Sequence, residues 1–175
     1  MKIIAIEGPD GYGKSTIARM LSEKTGYKLI KFPNETLYSG ELIRKMLTGK
    51  EKLRPDVFQQ LQNINKEITI KNLPNGTYIF DRYKLSEIVY GLANGLKEVN
   101  VMNLADCLPD PDITFIFVGK SYKLDNDVFG NDKYQDRIAK LFKRVGKTAG
   151  GNIIYVNNEK PIDAVFNEIF ERGKL

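Results

Sequence analysis

Residues 8–15 read Gly8-Pro9-Asp10-Gly11-Tyr12-Gly13-Lys14-Ser15, and they follow the apolar, β-branched run Ile3-Ile4-Ala5-Ile6. The stretch matches the phosphate-binding loop pattern G-x-x-x-x-G-K-[ST] in full. Its glycines let the backbone curl so that successive N–H groups point at phosphate oxygens. In this pattern Lys14 reaches the β- and γ-phosphates, and Ser15 holds Mg²⁺ at the start of a helix whose positive end faces the same anion. The sequence therefore predicts a nucleoside triphosphate site.

The residues expected to form that site share the glycine-rich loop and the first turn of the following helix. They are Gly8, Gly11, Tyr12, Gly13, Lys14, Ser15 and Thr16.

The length and composition predict a single domain, residues 1–175, and narrow its chemistry. No apolar run approaches the roughly 20 residues of a membrane span, and the N-terminus lacks the basic-then-apolar build of a signal peptide. The single Cys107 excludes a disulfide framework, which is typical of a cytoplasmic protein. The absence of histidine excludes histidine general bases and catalytic triads, so any proton transfer falls to carboxylates.

The formal net charge of +5 does not indicate nucleic-acid binding. The lysines are scattered rather than arranged in a basic stripe interleaved with aromatic residues. A modest positive field instead suits a site that gathers two anionic small molecules.

Apolar strands alternate with amphipathic helices along the whole chain. This alternation predicts an α/β fold, a doubly wound five-stranded parallel sheet flanked by helices, whose ligands bind at the carboxyl ends of the strands. The predicted strands are 3–6, 28–32, 77–80, 113–118 and 153–156. The predicted helices are 14–25, 40–47, 55–71, 84–94, 101–107, 133–146 and 161–171.

Asp81-Arg82 stands at the end of a predicted strand, where its side chains are expected to face the phosphate-binding loop. The carboxylate can hold Mg²⁺ through water or accept the proton of an attacking oxygen. The guanidinium can grip a second phosphate with two parallel hydrogen bonds. The alternative is a structural Asp–Arg pair at a strand end. With Lys14, these two residues are the predicted catalytic set, and Ser15 and Asp81 are the predicted metal ligands.

Over nearly its whole length the sequence resembles the thymidylate kinases, which are nucleoside monophosphate kinases with a P-loop. The resemblance rests on Glu7 to Thr16, Phe32-Pro33, Asp81-Arg82-Tyr83 with Ser86 and Tyr90-Gly91, and Leu108 to Asp112. It implies transfer of the ATP γ-phosphate to dTMP, giving dTDP and ADP, with Mg²⁺ as cofactor and a homodimer as the assembly.

The resemblance also implies roles for individual residues in binding the acceptor. Asp10 contacts the sugar 3′-hydroxyl, Phe32 and Pro33 shape the acceptor pocket, and Arg82 binds the acceptor phosphate. The other residues expected at the substrates are Ser86, Tyr90 and a tyrosine near the nucleotide sugar, Tyr134.

The helix 55–71 is expected to read the acceptor base. The family pattern Phe-x-x-x-Arg falls on Phe58 and Gln62, which are four residues apart and share a helix face. The ring can stack on a base, and the amide can donate and accept one hydrogen bond each along its edge. Two alternatives stay open, namely that Phe58 is a core residue and that Gln62 is a solvated surface amide.

Three positions depart from the family pattern. The family usually has an arginine just after Phe-Pro, but Asn34-Glu35-Thr36 offers none, and Glu35 has the opposite charge. Gln62 replaces the base-reading arginine. A catalytic arginine is absent both from the P-loop and from the expected lid, residues 119–133. The cations of that segment are Lys120, Lys123 and Lys133, with Arg137 just beyond.

Because of these departures, two functions other than dTMP phosphorylation stay open. One is a kinase for another deoxynucleoside monophosphate, such as dUMP, a modified pyrimidine or a purine. Another is a nucleotide-binding regulator with weak catalysis.

Overall fold

The structure, a computed structural model, describes residues 1–122 and 132–175, and in them the chain forms five strands and seven helices. The strands are β1 (Lys2–Glu7), β2 (Lys28–Lys31), β3 (Thr77–Asp81), β4 (Ile113–Val118) and β5 (Ile153–Asn157). The helices are α1 (Lys14–Thr25), α2 (Tyr38–Leu47), α3 (Pro55–Lys71), α4 (Lys84–Ala93), α5 (Glu98–Asp106), α6 (Asp132–Thr148) and α7 (Ile162–Gly173).

The sheet is parallel throughout and has the strand order β2-β3-β1-β4-β5, which confirms the predicted doubly wound fold. The central strand, β1, pairs with β3 and β4, so Ile4 lies beside both Ile79 and Ile113. Both faces of the sheet are covered by helices, which is why the strands are continuous apolar runs.

Alternate residues of β4 enter two different cores, as the period of a strand requires. Phe115 and Phe117 pack with α1 and α7, whereas Ile116 packs with α4, α5 and α6. The order of the strands places the carboxyl ends of β1 and β3 side by side, and this is where the phosphate-binding loop and Asp81 lie.

The predicted elements are all present, and two helices begin two or three residues earlier than predicted. Helix α2 begins at Tyr38 because the carbonyl of Leu37 already accepts the N–H of Gly40 and Glu41. Helix α5 begins at Glu98 because the carbonyl of Lys97 accepts the N–H of Val101. Neither start carries a capping side chain, so the sequence lacked the usual signal. Within residues 1–122 and 132–175, no helix has the length and apolar character that crossing a bilayer demands.

Candidate active site

The phosphate-binding loop has the curled backbone that its glycines predict. Gly13 has φ 82° and precedes α1, and Gly8 has φ 137°. A β-carbon on Gly8 would lie 3.0 Å from the backbone oxygen of Phe117, so the neighbouring strand leaves no space for a side chain there. The loop opens on a cavity of about 610 Å³. Its lining includes Gly11, Tyr12, Gly13, Lys14, Ser15, Thr16 and Asp81, as well as Asn158 and Lys160 after β5.

Lys14, Ser15 and Asp81 meet at the floor of this cavity, which we call the P-loop cavity. Ser15 Oγ, in the first turn of α1, donates a hydrogen bond of 2.5 Å to Asp81 Oδ2 at the end of β3. Lys14 Nζ donates to the carbonyl of Pro9. Burial, aided by the neighbouring Arg82 guanidinium, lowers the pKa of Lys14 to about 8. A buried ammonium with few partners is stabilised when an anion binds beside it.

A second cavity, of about 110 Å³, lies beside the first and is called the acceptor cavity below. Its lining includes Phe32, Pro33, Phe58, Gln62, Ser86 and Tyr90, all of which the sequence predicts at the acceptor. The two cavities share Asp10, Lys31 and Arg82. Two anions bound end to end would therefore meet at these three side chains.

Arg82 points towards the phosphate-binding loop. Its Nη1 donates to the carbonyl of Gly8 at 3.3 Å, and its Nη2 forms an ion pair with Asp10. The guanidinium carbon lies over the ring of Tyr90, 5.2 Å from its centroid, in a cation–π contact. The backbone of Arg82 has φ 69°, a left-handed conformation that is uncommon outside glycine, and its N–H bonds to the carbonyl of Ile6.

The Asp10 carboxylate is held by three other side chains of the site. Besides Arg82 it accepts a hydrogen bond of 2.9 Å from Tyr90 and one of 3.2 Å from Gln135 Nε2. The Asp10 N–H donates in return to Gln135 Oε1 at 3.0 Å. Burial alone would raise the pKa of Asp10, but the positive charges of Arg82 and Lys14 outweigh burial and lower it. Asp10 is therefore a fixed anion between the two cavities.

Gln135 and Glu7 are site residues that sequence reasoning did not single out. Gln135 lies 125 residues from Asp10, and only its place beside Tyr134 could have drawn attention to it. Glu7 is fully buried and accepts hydrogen bonds from the N–H groups of Tyr83 and Ser86 and from the Ser86 hydroxyl. It thus holds the turn that presents Arg82. Burial raises the pKa of Glu7.

Comparison with known proteins identifies the family to which this site belongs. The thymidylate kinase family model matches residues 6–169, which is most of the chain. The chain belongs to the thymidylate kinase family. Membership identifies it as an ATP-dependent phosphotransferase that acts on dTMP.

Individual thymidylate kinases resemble the chain along most of their length. Protein 251L of Invertebrate iridescent virus 6, whose name likewise includes thymidylate kinase, is 33% identical over 159 residues, covering 82% of this chain and 75% of that protein. The thymidylate kinase of Brachyspira hyodysenteriae is 28% identical, covering 97% of this chain and 94% of that protein. The solved structure of Candida albicans thymidylate kinase has a TM-score of 0.79 and 29% identity, covering 99% of this chain and 92% of that chain.

In this thymidylate kinase, the two residues expected at the acceptor base face the acceptor cavity. Phe58 lines the cavity and also packs with Ile43 and Met46, so it is part of the core as well. Gln62 is half-buried and lines the cavity, which argues against a fully solvated amide. Tyr134 lines neither cavity, and its hydroxyl donates to Asn94 Oδ1 at 3.1 Å.

The structure also shows which cationic side chains lie near the positions that depart from the family pattern. Glu35, in the segment after Phe32-Pro33 that lacks the family's arginine, lies 3.9 Å from Arg44 of α2. Arg44 lines the acceptor cavity, so α2 supplies a guanidinium there. Lys120 pairs with Glu159, and Arg137 donates to the carbonyl of Leu92. Lys123 and most of the expected lid, residues 119–133, fall outside the described residues.

Proposed function

We propose that this thymidylate kinase transfers the γ-phosphoryl group of ATP, bound in the P-loop cavity, to dTMP bound in the acceptor cavity. The observation that carries the proposal is that the two cavities meet at Asp10 and Arg82. In-line transfer requires the two phosphates to lie end to end, with positive charge at their junction.

The positions of the side chains support a role for each in this transfer. Lys14 is the cation beside the ATP phosphates, and Arg82 clasps the acceptor phosphate and holds it in line. Asp10 stays ionised between the cavities and can accept a hydrogen bond from a sugar hydroxyl of the acceptor. Phosphoryl transfer needs little covalent work from the protein, so positioning and charge neutralisation account for most of the catalysis.

Mg²⁺ is part of this proposal, and the residues at the P-loop cavity fit it. Ser15 Oγ and Asp81 Oδ2 are hard oxygen atoms 2.5 Å apart. Among the described residues, no group of three or more carboxylate, cysteine or histidine side chains could hold a metal. The remaining ligands would be phosphate oxygens and water, as Mg²⁺ prefers. When bound, the ion neutralises charge on the transferred phosphoryl group.

A kinase for a related monophosphate is the second candidate, and Gln62 favours it. An amide replaces the arginine that family members use at the base, so dUMP or a modified pyrimidine is a candidate acceptor. The Candida albicans structure is described as revealing the origin of broad substrate specificity in that protein.

The test is an assay of ADP release and diphosphate formation with ATP, Mg²⁺ and each deoxynucleoside monophosphate in turn. We expect release that depends on dTMP, stops on addition of EDTA and returns with excess Mg²⁺. ATP hydrolysis that is indifferent to every monophosphate would refute the proposal and favour the nucleotide-binding regulator.

Arg44 is proposed as the second guanidinium at the acceptor phosphate, in place of the arginine that residues 34–36 lack. We expect Arg44→Gln to raise the KM for dTMP about tenfold with little change in kcat, because a hydrogen bond to a charged group contributes about 1.5 kcal/mol. Competitive inhibition by thymidine, which has no phosphate, should stay unchanged.

The matched control for Arg44 is Lys45→Gln. Lys45 is its exposed neighbour on α2 but does not line the acceptor cavity. Equal KM values for dTMP in the two variants would exclude this role for Arg44.

A homodimer is proposed from the family resemblance, and a cytoplasmic location is proposed from the cysteine usage. Ile64 and Ile68 are 46% and 41% exposed and lie one turn apart on α3, which supports an interface on that helix. The single cysteine, Cys107, is exposed and free, which suits a reducing compartment.

A further inference from the structure

The acceptor cavity contains a fully buried ion pair that none of the roles above uses. Lys66 Nζ lies 2.7 Å from Glu87 Oε2, and the two side chains are only 3% and 2% exposed. Both residues line the acceptor cavity, Lys66 from α3 and Glu87 from α4. Burying two charges costs several kcal/mol in desolvation, so a pair of apolar residues would be as stable or more stable. A buried pair facing a ligand cavity is therefore a candidate for a binding role.

The pair has hydrogen-bonding capacity to spare on both sides. Lys66 has three donor hydrogens, of which one is used by Glu87, and its Nζ lies 5.6 Å from the centroid of the Phe32 ring. Glu87 Oε1 is buried and has no hydrogen-bond partner among the described residues. Rotation about the last side-chain bond, whose angular preference is broad, can present a carboxylate oxygen to the cavity.

Lys66 also continues the helix face that is expected to hold the base. Phe58, Gln62 and Lys66 are spaced four residues apart on α3, and all three line the acceptor cavity. If the acceptor base stacks on the Phe58 ring, the edge of the base faces Gln62 and Lys66. Gln62 and the Lys66–Glu87 pair are polar groups that α3 and α4 present to the cavity, together with Gln59, Ser86 and Tyr90.

Gln62 alone cannot discriminate between bases, whereas the ion pair can. A glutamine amide donates or accepts at either position once its terminal group flips. An ammonium can only donate, and a carboxylate can only accept. The pair is therefore complementary to a base edge that has a ring carbonyl next to a ring N–H. An edge with an amino group next to an unprotonated ring nitrogen would place donor against donor at Lys66 and acceptor against acceptor at Glu87.

We infer that the Lys66–Glu87 pair reads the base of the acceptor, with Lys66 donating to a ring carbonyl and Glu87 accepting the adjacent ring N–H. The inference rests on the proposed function, since it names the base class that the same site selects. It assigns acceptors with a 4-oxo pyrimidine, thymine or uracil, and rejection of the 4-amino pyrimidine cytosine. Discrimination follows because the wrong base leaves buried polar groups unpaired.

The test compares kcat/KM for dTMP, dUMP and dCMP in the wild type and in the double variant Lys66→Met, Glu87→Gln. The double variant removes both charges together, so neither is left buried alone. We expect the wild type to prefer dTMP over dCMP by about 10²-fold or more, and the double variant to lose most of that preference. Lys66→Arg, which keeps a donor-only cation, should preserve it.

The matched control is Lys84→Met at the start of α4. Lys84 forms an ion pair with Asp110 and does not line the acceptor cavity, so its loss should leave the dTMP/dCMP ratio unchanged. A purely structural role for Lys66 and Glu87 would lower kcat/KM for dTMP and dCMP equally, and this result would overturn the inference. If the double variant does not fold, wild-type competition decides the matter, because equal affinities for dTMP and dCMP would overturn the inference too. Failure of the wild type to phosphorylate any monophosphate would instead count against the proposed function.

Discussion

Replacing Arg82 with alanine is expected to lower kcat for dTMP phosphorylation by about 10³-fold or more, while ATP binding stays nearly intact. Arg82 lies at the junction of the P-loop and acceptor cavities, and its guanidinium reaches the carbonyl of Gly8 and the carboxylate of Asp10. Without Arg82, no guanidinium at the end of β3 holds the acceptor phosphate in line. The negative charge of Asp10 is then also less neutralised when the anionic acceptor arrives. Single-turnover kinetics and equilibrium ATP binding separate the two effects.

Two further variants sharpen the test of Arg82. Arg82→Lys keeps the charge but lacks the planar fork, so we expect it to recover only a small part of the lost rate. Arg19→Ala removes an exposed arginine of α1 and should have wild-type kinetics. If Arg82→Ala weakened ATP binding as much as it slowed turnover, Arg82 would be a structural residue of the loop.

Replacing Lys14 with methionine is the second large effect expected. We predict a loss of about 10²- to 10³-fold in kcat, because a preorganised cation at the transferred phosphoryl group is removed. The fold should not suffer. Burial holds the pKa of Lys14 at about 8, below its ordinary value, so the charged form is disfavoured in the empty site.

The expected signature of Lys14→Met is therefore low activity with an equal or higher melting temperature. Lys24→Met is the control, since Lys24 is exposed near the end of the same helix. A variant that lost activity and melting temperature together would indicate that Lys14 acts mainly by supporting the loop. Wild-type turnover in Lys14→Met would rule out its role at the phosphates.

Much of the fold could be predicted from the sequence because its signals are local. The apolar runs of β1 and β4 and the helical spacing after Lys14 each depend on residues close together in the chain. The phosphate-binding loop is equally local, since its glycines and Lys14 lie within one turn. Helix starts such as Tyr38 and Glu98 were misplaced by two or three residues because a backbone carbonyl, rather than a capping side chain, begins each helix.

The sequence predicted the site residues that belong to one short motif. It did not predict the residues whose partners lie far away in the chain. Asp81-Arg82 follows a strand, and in a parallel sheet strand ends converge, so its place beside the loop could be inferred from the chain alone. Nothing local marks Gln135 as the partner of Asp10 or Lys66 as the partner of Glu87.

The sequence by itself therefore determined the parallel sheet, the loop that cradles phosphate and the position of Arg82 at the end of β3. Only the tertiary structure decided that Glu7 secures the turn carrying Arg82, that α2 brings Arg44 to the acceptor cavity, and that α3 and α4 bury a charged pair there. The physical reason is that backbone conformation depends mainly on neighbouring residues. Which charges are desolvated together depends on how whole helices pack against the sheet.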